Sequence, residues 1–242
     1  MEYLGEVPRV FGNTRKMADD KGLRVWLRKT AAMFYRVVFK VLCVSLLASV
    51  AGADRTTFVM PVSDSFAIAG RGMVVSGTVE RGSVKVSDNV ELVGIYPAKP
   101  VIVTAIQHKG KDVQEALAGQ EVGLILRGVS KDEVQRGQVL AEPGCLKAFR
   151  QASAKIALLA TQEGGRKTPI STGYRSMCRF RGVDFSGTVQ LPKSQSAMQP
   201  GQSEVTVDLR LEQPVALENG QSFEIREAGK TVGRGVIVSA IE

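Results

Sequence analysis

Residues 66–94 read FAIAGRGMVVSGTVERGSVKVSDNVELVG, and the fold of the chain turns on what Gly70, Gly72 and Gly77 do there. A loop that cradles a phosphate needs its glycines between a strand and the start of a helix, whereas a β-barrel uses them to turn strands or let them approach closely. The GxGxxG fingerprint finds its first two glycines at Gly70 and Gly72, but its third position is Val75 and no helical pattern follows. MVVSGTVE, then Arg81-Gly82, then SVKV predicts a strand, a tight turn and a second strand, with Gly82 supplying the positive φ such turns need. The glycines are expected to serve strand geometry rather than nucleotide chemistry.

The same texture extends outward on both sides. From Thr57 onward, short runs rich in Val, Ile, Thr and Phe are separated by Gly, Asn, Asp or Pro at intervals of about ten residues, the signature of an all-β chain. NVELVGI, VIVTAIQ and EVGLILRGV continue the pattern, and beyond residue 150 so do AKIALLA, YRSMCRFRG, SEVTVDLRL, QSFEIREAG and TVGRGVIVSAI. SKDEV is the one local helix signal, with Ser130 followed three residues on by Glu133 as in a capping box. EPGCLKAFRQ, from Glu142, combines Pro, Gly and charge and is the best internal linker. The expected architecture is two consecutive β-barrels, over residues 57–143 and 150–242, preceded by a poorly ordered or helical segment over 1–56.

That first segment differs in composition. The chain of 242 residues carries 32 Lys and Arg against 24 Asp and Glu, a net charge of +8. Residues 1–53 hold nine basic and four acidic side chains, +5, which leaves 23 minus 20, or +3, for the body. The basic pI is therefore weak support for nucleic-acid binding by the barrels. VVFKVLCVSLLASVAGA, Val37 to Ala53, is apolar apart from Lys40 and two serines. Its end resembles a signal-peptidase site, yet its basic beginning is long; as a membrane span it is short of the ~20 apolar residues required. A mitochondrial transit peptide lacks acids, and Glu2, Glu6, Asp19 and Asp20 are present. A buried or unstructured helix without targeting role is the fourth alternative. Cys43, Cys145 and Cys178 form no metal or CxxC pattern and imply reduced thiols.

Catalytic readings find little support. AGKT, ending at Thr231, resembles the end of a P-loop, but the first glycine would fall at Glu224. DFSG, Asp184 to Gly187, has DxxG spacing in a strand-rich context and is assigned to a β-turn. His108 is the only histidine, so multi-histidine metal sites are excluded, and a lone exposed histidine carries no function by itself. No nucleophile is marked by a base, and Asp88, Glu91 and the scattered acids fit solvated strand faces. The expectation is a non-enzyme, with no catalytic residues, no metal site and no GTP or Mg site.

The opening stretch, with FVMPVSDSF, AGQEVGLILRGVSKDEVQRGQVLAEPG, TQEGGRKTP, GYR, SGTVQLP, QPG and FEIREAGKTVGRGV, closely resembles the second and third domains of the bacterial and organellar translation factor elongation factor Tu. The resemblance covers residues 57–242, and the family's GTP-binding domain has no counterpart within it. It implies that the two barrels bind aminoacyl-tRNA, domain two at the aminoacylated end and domain three along the T-stem. Ribosome and a nucleotide-exchange factor are further implied partners. The positions matching the end pocket are Ser63, Asp64, Phe66, Ile68, Val74, Ser76, Gln107, Lys109, Gly110 and Glu121. Asp64, Phe66, Ile68 and Val74 keep the family type. Ser63 and Gln107 stand where acids are common, Lys109 and Gly110 where a basic or polar residue and then arginine are, and Glu121 where asparagine is. On the T-stem side Arg166, Thr168, Arg226 and Glu227 match, with Lys230 beside them; Lys167 replaces histidine and Ala228 replaces glycine. The loss of a positive charge at Gly110 and the gain of a carboxylate at Glu121 both weaken the hold on an acidic nucleic-acid end.

Three functional expectations follow from the resemblance. The chain is a tRNA-binding translation protein without its own GTPase domain, or a protein-interaction module that lost tRNA binding and is tethered through 37–53, or part of a three-domain GTPase. The resemblance favours an organelle, mitochondrion or plastid, or the bacterial cytoplasm, with secretion or membrane tethering as the alternative.

Overall fold

The structure, a computed structural model, describes residues 57–68 and 70–241. The apolar stretch 37–53, with its targeting and membrane readings, lies outside the described residues. Ten strands make the first barrel: Val59–Pro61 (β1), Asp64–Ile68 (β2), Gly72–Thr78 (β3), Ser83–Lys85 (β4), Asn89–Val93 (β5), Lys99–His108 (β6), Lys111–Val113 (β7), Glu115–Leu117 (β8), Glu121–Arg127 (β9) and Val139–Ala141 (β10). Eight make the second: Lys147–Leu158 (β11), Ile170–Ser171 (β12), Tyr174–Phe180 (β13), Val183–Gln190 (β14), Ala197–Met198 (β15), Val205–Leu217 (β16), Ser222–Glu227 (β17) and Lys230–Ile241 (β18).

In the first barrel the strands run β1-β10-β5-β6-β9-β3-β2, with β7 added to β6, while β4 pairs β8 in a small separate ladder. The second barrel closes fully in the order β11-β16-β14-β13-β17-β18, and β12 pairs β15 at its margin. Alternation builds both. Along β16, Val205, Val207, Leu209 and Leu211 turn inward while Thr206, Asp208, Arg210 and Glu212 face water. Val75, Leu92, Ile106, Leu124 and Leu140 fill the first barrel, and Phe180, stacked on Phe223 at 5.0 Å, anchors the second.

The barrels pack as one compact unit. Val59, Val93, Val139 and Ala141 of the first meet Ala216 of the second around Leu146, and an ion network flanks this apolar seam. Arg181 binds Glu80 and Glu218 at 2.8 and 2.6 Å and the Ala216 carbonyl at 2.8 Å; Arg81 joins Glu218 at 2.8 Å. Arg181 is carried there by an Arg181-Gly182 hairpin turn, both residues at positive φ, which is the I′ geometry that matches strand twist.

The glycines of the opening stretch do turn and admit strands. Gly70 and Gly72 have φ of 75° and 112°, and a Cβ on Gly77 would lie 2.2 Å from the Pro61 carbonyl oxygen. Four local expectations change. Gly82 has the expected positive φ, but β3 and β4 are not a hairpin, because β4 pairs β8 instead. DFSG is not a turn: it lies inside β14, and the turn sits just before that strand, at Arg181-Gly182. EPGCLKAFRQ joins the barrels only over its first residues: β11 already starts at Lys147, and Leu146 is buried in the seam. His108 is half-buried, with a hydrogen-bond partner. The capping-box segment forms a short 3₁₀ turn, Lys131–Glu133, where the Glu133 carboxylate accepts from the Ser130 N–H at 2.8 Å. The Lys99 ammonium first, and Ser130 next, bring that carboxyl down to about 2. Cys145 and Cys178 are free, and burial pushes the Cys178 thiol up to about 11, so it is inert.

Candidate functional site

A groove of about 710 Å³ opens on the outer face of the first barrel. Pairing across β2, β3, β9, β6 and β7 puts Asp64, Ser76, Gly123, Gln107 and Asp112 in one row. The middle of that row is a glycine, Gly123, which adds no side chain to the groove; a Cβ there would meet Val74 Cγ1 at 3.5 Å, in ordinary contact. Phe66, Val74 and Ser76 line one wall, and Gln107–Gly110 with Gly119–Val122 line the other. Val74 is buried, while Phe66 keeps 47% of its surface exposed, a free aromatic face at the lip.

Hydrogen bonds hold this lining, with no ion pair among its described residues. Gln107 Nε2 donates to Asp112 Oδ1 at 3.0 Å, His108 Nδ1–H donates to the Glu121 carbonyl at 2.9 Å, and Asp64 Oδ1 accepts from the Ser65 N–H at 2.8 Å. Lys109 and Gly110 form the β6–β7 hairpin turn at φ 50° and 75°, so Gly110 serves a two-residue I′ turn where the family carries arginine. Of the expected pocket residues, Phe66, Val74, Ser76, Gln107, Lys109, Gly110 and Glu121 meet in the groove. Asp64 adjoins it opposite Ser76; Ile68 lies further along β2, opposite Gly72.

The second group of residues converges on the second barrel. The Thr161–Glu163 turn and Gly164, at φ 86°, lead into Gly165, where a Cβ would stand 2.1 Å from the Leu159 carbonyl oxygen. This geometry delivers Arg166 to the β17–β18 hairpin. Its Nη1 donates to the Glu227 carboxylate and, at 3.2 Å, to the Tyr174 hydroxyl; Nε and Nη2 donate to the Thr168 carbonyl and hydroxyl at 3.3 and 3.1 Å. Its guanidinium also stacks over the Tyr174 ring at 4.8 Å. Burial opposes its charge, but Glu227 and Tyr174 outweigh this and raise its pKa.

Arg226 is engaged too. Nη1 donates to Asp184 Oδ2 at 3.0 Å and Nη2 to the Gly229 carbonyl, while Asp184 also receives Arg179 through two bonds of 2.7 and 3.1 Å. The Arg179 hydrogen bond, with help from Arg226, holds the Asp184 carboxyl below its usual range. Lys167, Thr168, Glu227 and Lys230 are exposed, and the Lys167 and Lys230 ammonium groups make no ion pair among the described residues. Ala228 sits at φ 47° in the turn before Gly229, a left-handed conformation that a methyl group disfavours.

Residues 72–141 match the family described as Elongation factor Tu domain 2, and residues 145–241 match the Elongation factor Tu C-terminal domain. Both barrels belong to the elongation factor Tu family. The chain thus carries the family's domains two and three as a translation-factor β-barrel module. Within the elongation factor Tu pattern, sequence reasoning missed Gly123, His108, Tyr174 and Asp184. A glycine inside the EVGLILR strand was a legible signal for a groove, since strand interiors disfavour glycine without a reason. Asp184 gave none, because its partners arrive from β13 and β17.

Proposed function

We propose that the two barrels bind aminoacyl-tRNA, with the unpaired aminoacylated end in the groove over Gly123 and the stem across the loop pair at Lys167 and Lys230. The observation that carries this reading is the groove, open on an outer sheet face with an exposed Phe66 at its lip. Unpaired nucleotides are recognised by stacking on such aromatic faces and by hydrogen bonding to splayed base edges, while an A-form stem is read through its backbone. The proposed role is binding, with GTP chemistry left outside these barrels. Phosphate contact falls to Lys167 and Lys230, because the Arg166 and Arg226 guanidiniums are already paired with the Glu227 and Asp184 carboxylates.

A salt titration of the full chain against charged and uncharged tRNA tests this. Lys167→Ala and Lys230→Ala should each lower the salt slope by about 0.9. Phe66→Ala should weaken binding of charged tRNA about tenfold, at the scale of one base–aromatic stack. Equal affinity for tRNA and for any other polyanion would refute the proposal. A second reading, a protein-interaction module that lost tRNA binding, draws on Gly110 in its tight turn and the Glu121 carboxylate at the groove. The same titration separates the two.

A further inference from the structure

We propose that Glu227 is a built-in competitor for phosphate at Arg166, its carboxylate occupying the part of the guanidinium that a nucleic-acid phosphate would take. The inference rests on the tRNA-binding reading above and concerns the regulation of that site. Three features of the loop pair carry it. Arg166 is held from beneath and behind by groups that are not carboxylates: the Tyr174 ring and hydroxyl, and the Thr168 carbonyl and hydroxyl. Only Nη1 meets an anion, and that anion, Glu227, has a side chain 46% exposed although Arg166 itself is only 16% exposed. The charged contact is therefore made at the open side of the cradle.

Carboxylate and phosphate oxygens take the same charge-assisted bonds from a guanidinium, so whichever anion is more concentrated at the open side occupies it. Glu227 has that advantage by tethering. It pairs with Lys230 across the base of the β17–β18 turn, on backbone that cannot drift away. With Glu227 in place the Arg166–Glu227 pair adds no net charge, and Lys167 and Lys230 alone face a polyanion. With Glu227 neutral, the cradle persists through Tyr174 and Thr168 and a third cation is presented. Arg226 offers no such reserve: Asp184 is shared with Arg179, and the other Arg226 terminal nitrogen is bound within its own turn at Gly229.

The test compares Glu227→Gln with Glu163→Gln in the full chain. Glu163 lies on the same loop and caps its first turn by accepting from the Ala160 N–H, a bond glutamine retains. Both variants remove one negative charge, but only the first removes it from Arg166: the glutamine oxygen at 227 still accepts, as a neutral group that a phosphate displaces. Against deacylated tRNA, Glu227→Gln should gain about tenfold in affinity and steepen the salt slope by about 0.9, the mark of one added phosphate contact. Glu163→Gln should leave the slope unchanged, and Glu227→Gln combined with Arg166→Ala should return it to the parent value. Equal slopes for the two single variants would overturn the proposal while leaving tRNA binding intact. A second readout does not depend on tRNA: inorganic phosphate should shift the Arg166 guanidinium NMR signals saturably in Glu227→Gln and not in the parent. If phosphate moves them equally in both proteins, Glu227 is no competitor; if the difference appears but neither protein prefers tRNA, the tRNA reading fails and this one stands.

Discussion

In the first barrel, the groove over Gly123 is lined by residues brought together by strand register and held by hydrogen bonds rather than ion pairs, and its one large aromatic, Phe66, stands free. In the second barrel, the loop pair is drawn together by ion pairs between segments 61 and 42 residues apart, Arg166 with Glu227 and Asp184 with Arg226, so its arginines are consumed by the fold. The contrast teaches that a residue type at a family position does not establish an available group. Phe66 is free because a sheet's outer face needs nothing from it. Arg166 and Arg226 are occupied because tight loops carry buried polar groups that must be satisfied.

The largest test breaks the link that makes the two regions one body. Arg181, 9% exposed at its side chain, ties Glu80 and Glu218 across the seam. Arg181→Ala should lower stability in denaturant unfolding by about 2 kcal/mol, since it leaves the Ala216 carbonyl and Glu80 without their partner and Glu218 to Arg81 alone, and should separate unfolding of the first barrel from that of the second. A loss below about 1 kcal/mol with a single unchanged transition would show that the apolar seam suffices alone.

A smaller effect probes the loop pair alone. Ala228 holds φ 47° in the turn beside Glu227. Ala228→Gly should stabilise the chain by about 0.5–1 kcal/mol, the left-handed strain relieved less the entropy glycine adds to the unfolded state, and calorimetry should place the gain in the second barrel's transition. A decrease would mean that the alanine methyl packs favourably.

The smallest concerns pH. Asp184 has a depressed folded pKa, chiefly through Arg179, so its contribution is fully present above the ordinary carboxylate value and is lost as pH falls through the folded one. Below about pH 4 the parent should lose stability relative to Asp184→Asn, by about 1 kcal/mol at most because the side chain is 31% exposed. Parallel melting curves for parent and variant across that range would remove Asp184 as the organiser of the second barrel's charged face.

Much of this molecule was legible in its residues. Alternation along stretches such as SEVTVDLRL has only one solution in a chain of short strands, an apolar face turned inward, and glycines such as Gly70 and Gly72 marked a change of strand because positive φ costs glycine little. The expected turn at DFSG failed because local composition does not distinguish a turn from a strand when the neighbouring Arg181-Gly182 makes the turn instead. The expected hairpin after β3 failed because β4 found a better partner at β8, some thirty residues on.

By itself, then, the sequence determined an all-β body from Thr57 onward, two successive barrels and most of their strand-forming stretches, since period and turn chemistry are local properties of the backbone. Only the tertiary structure decided that Gly123 floors an open groove, that Phe66 is free above it, and that Arg166 and Arg226 are already bonded to Glu227 and Asp184. Those outcomes depend on which strands and loops become neighbours, and a charge is available to a ligand only if no closer group within the fold has neutralised it.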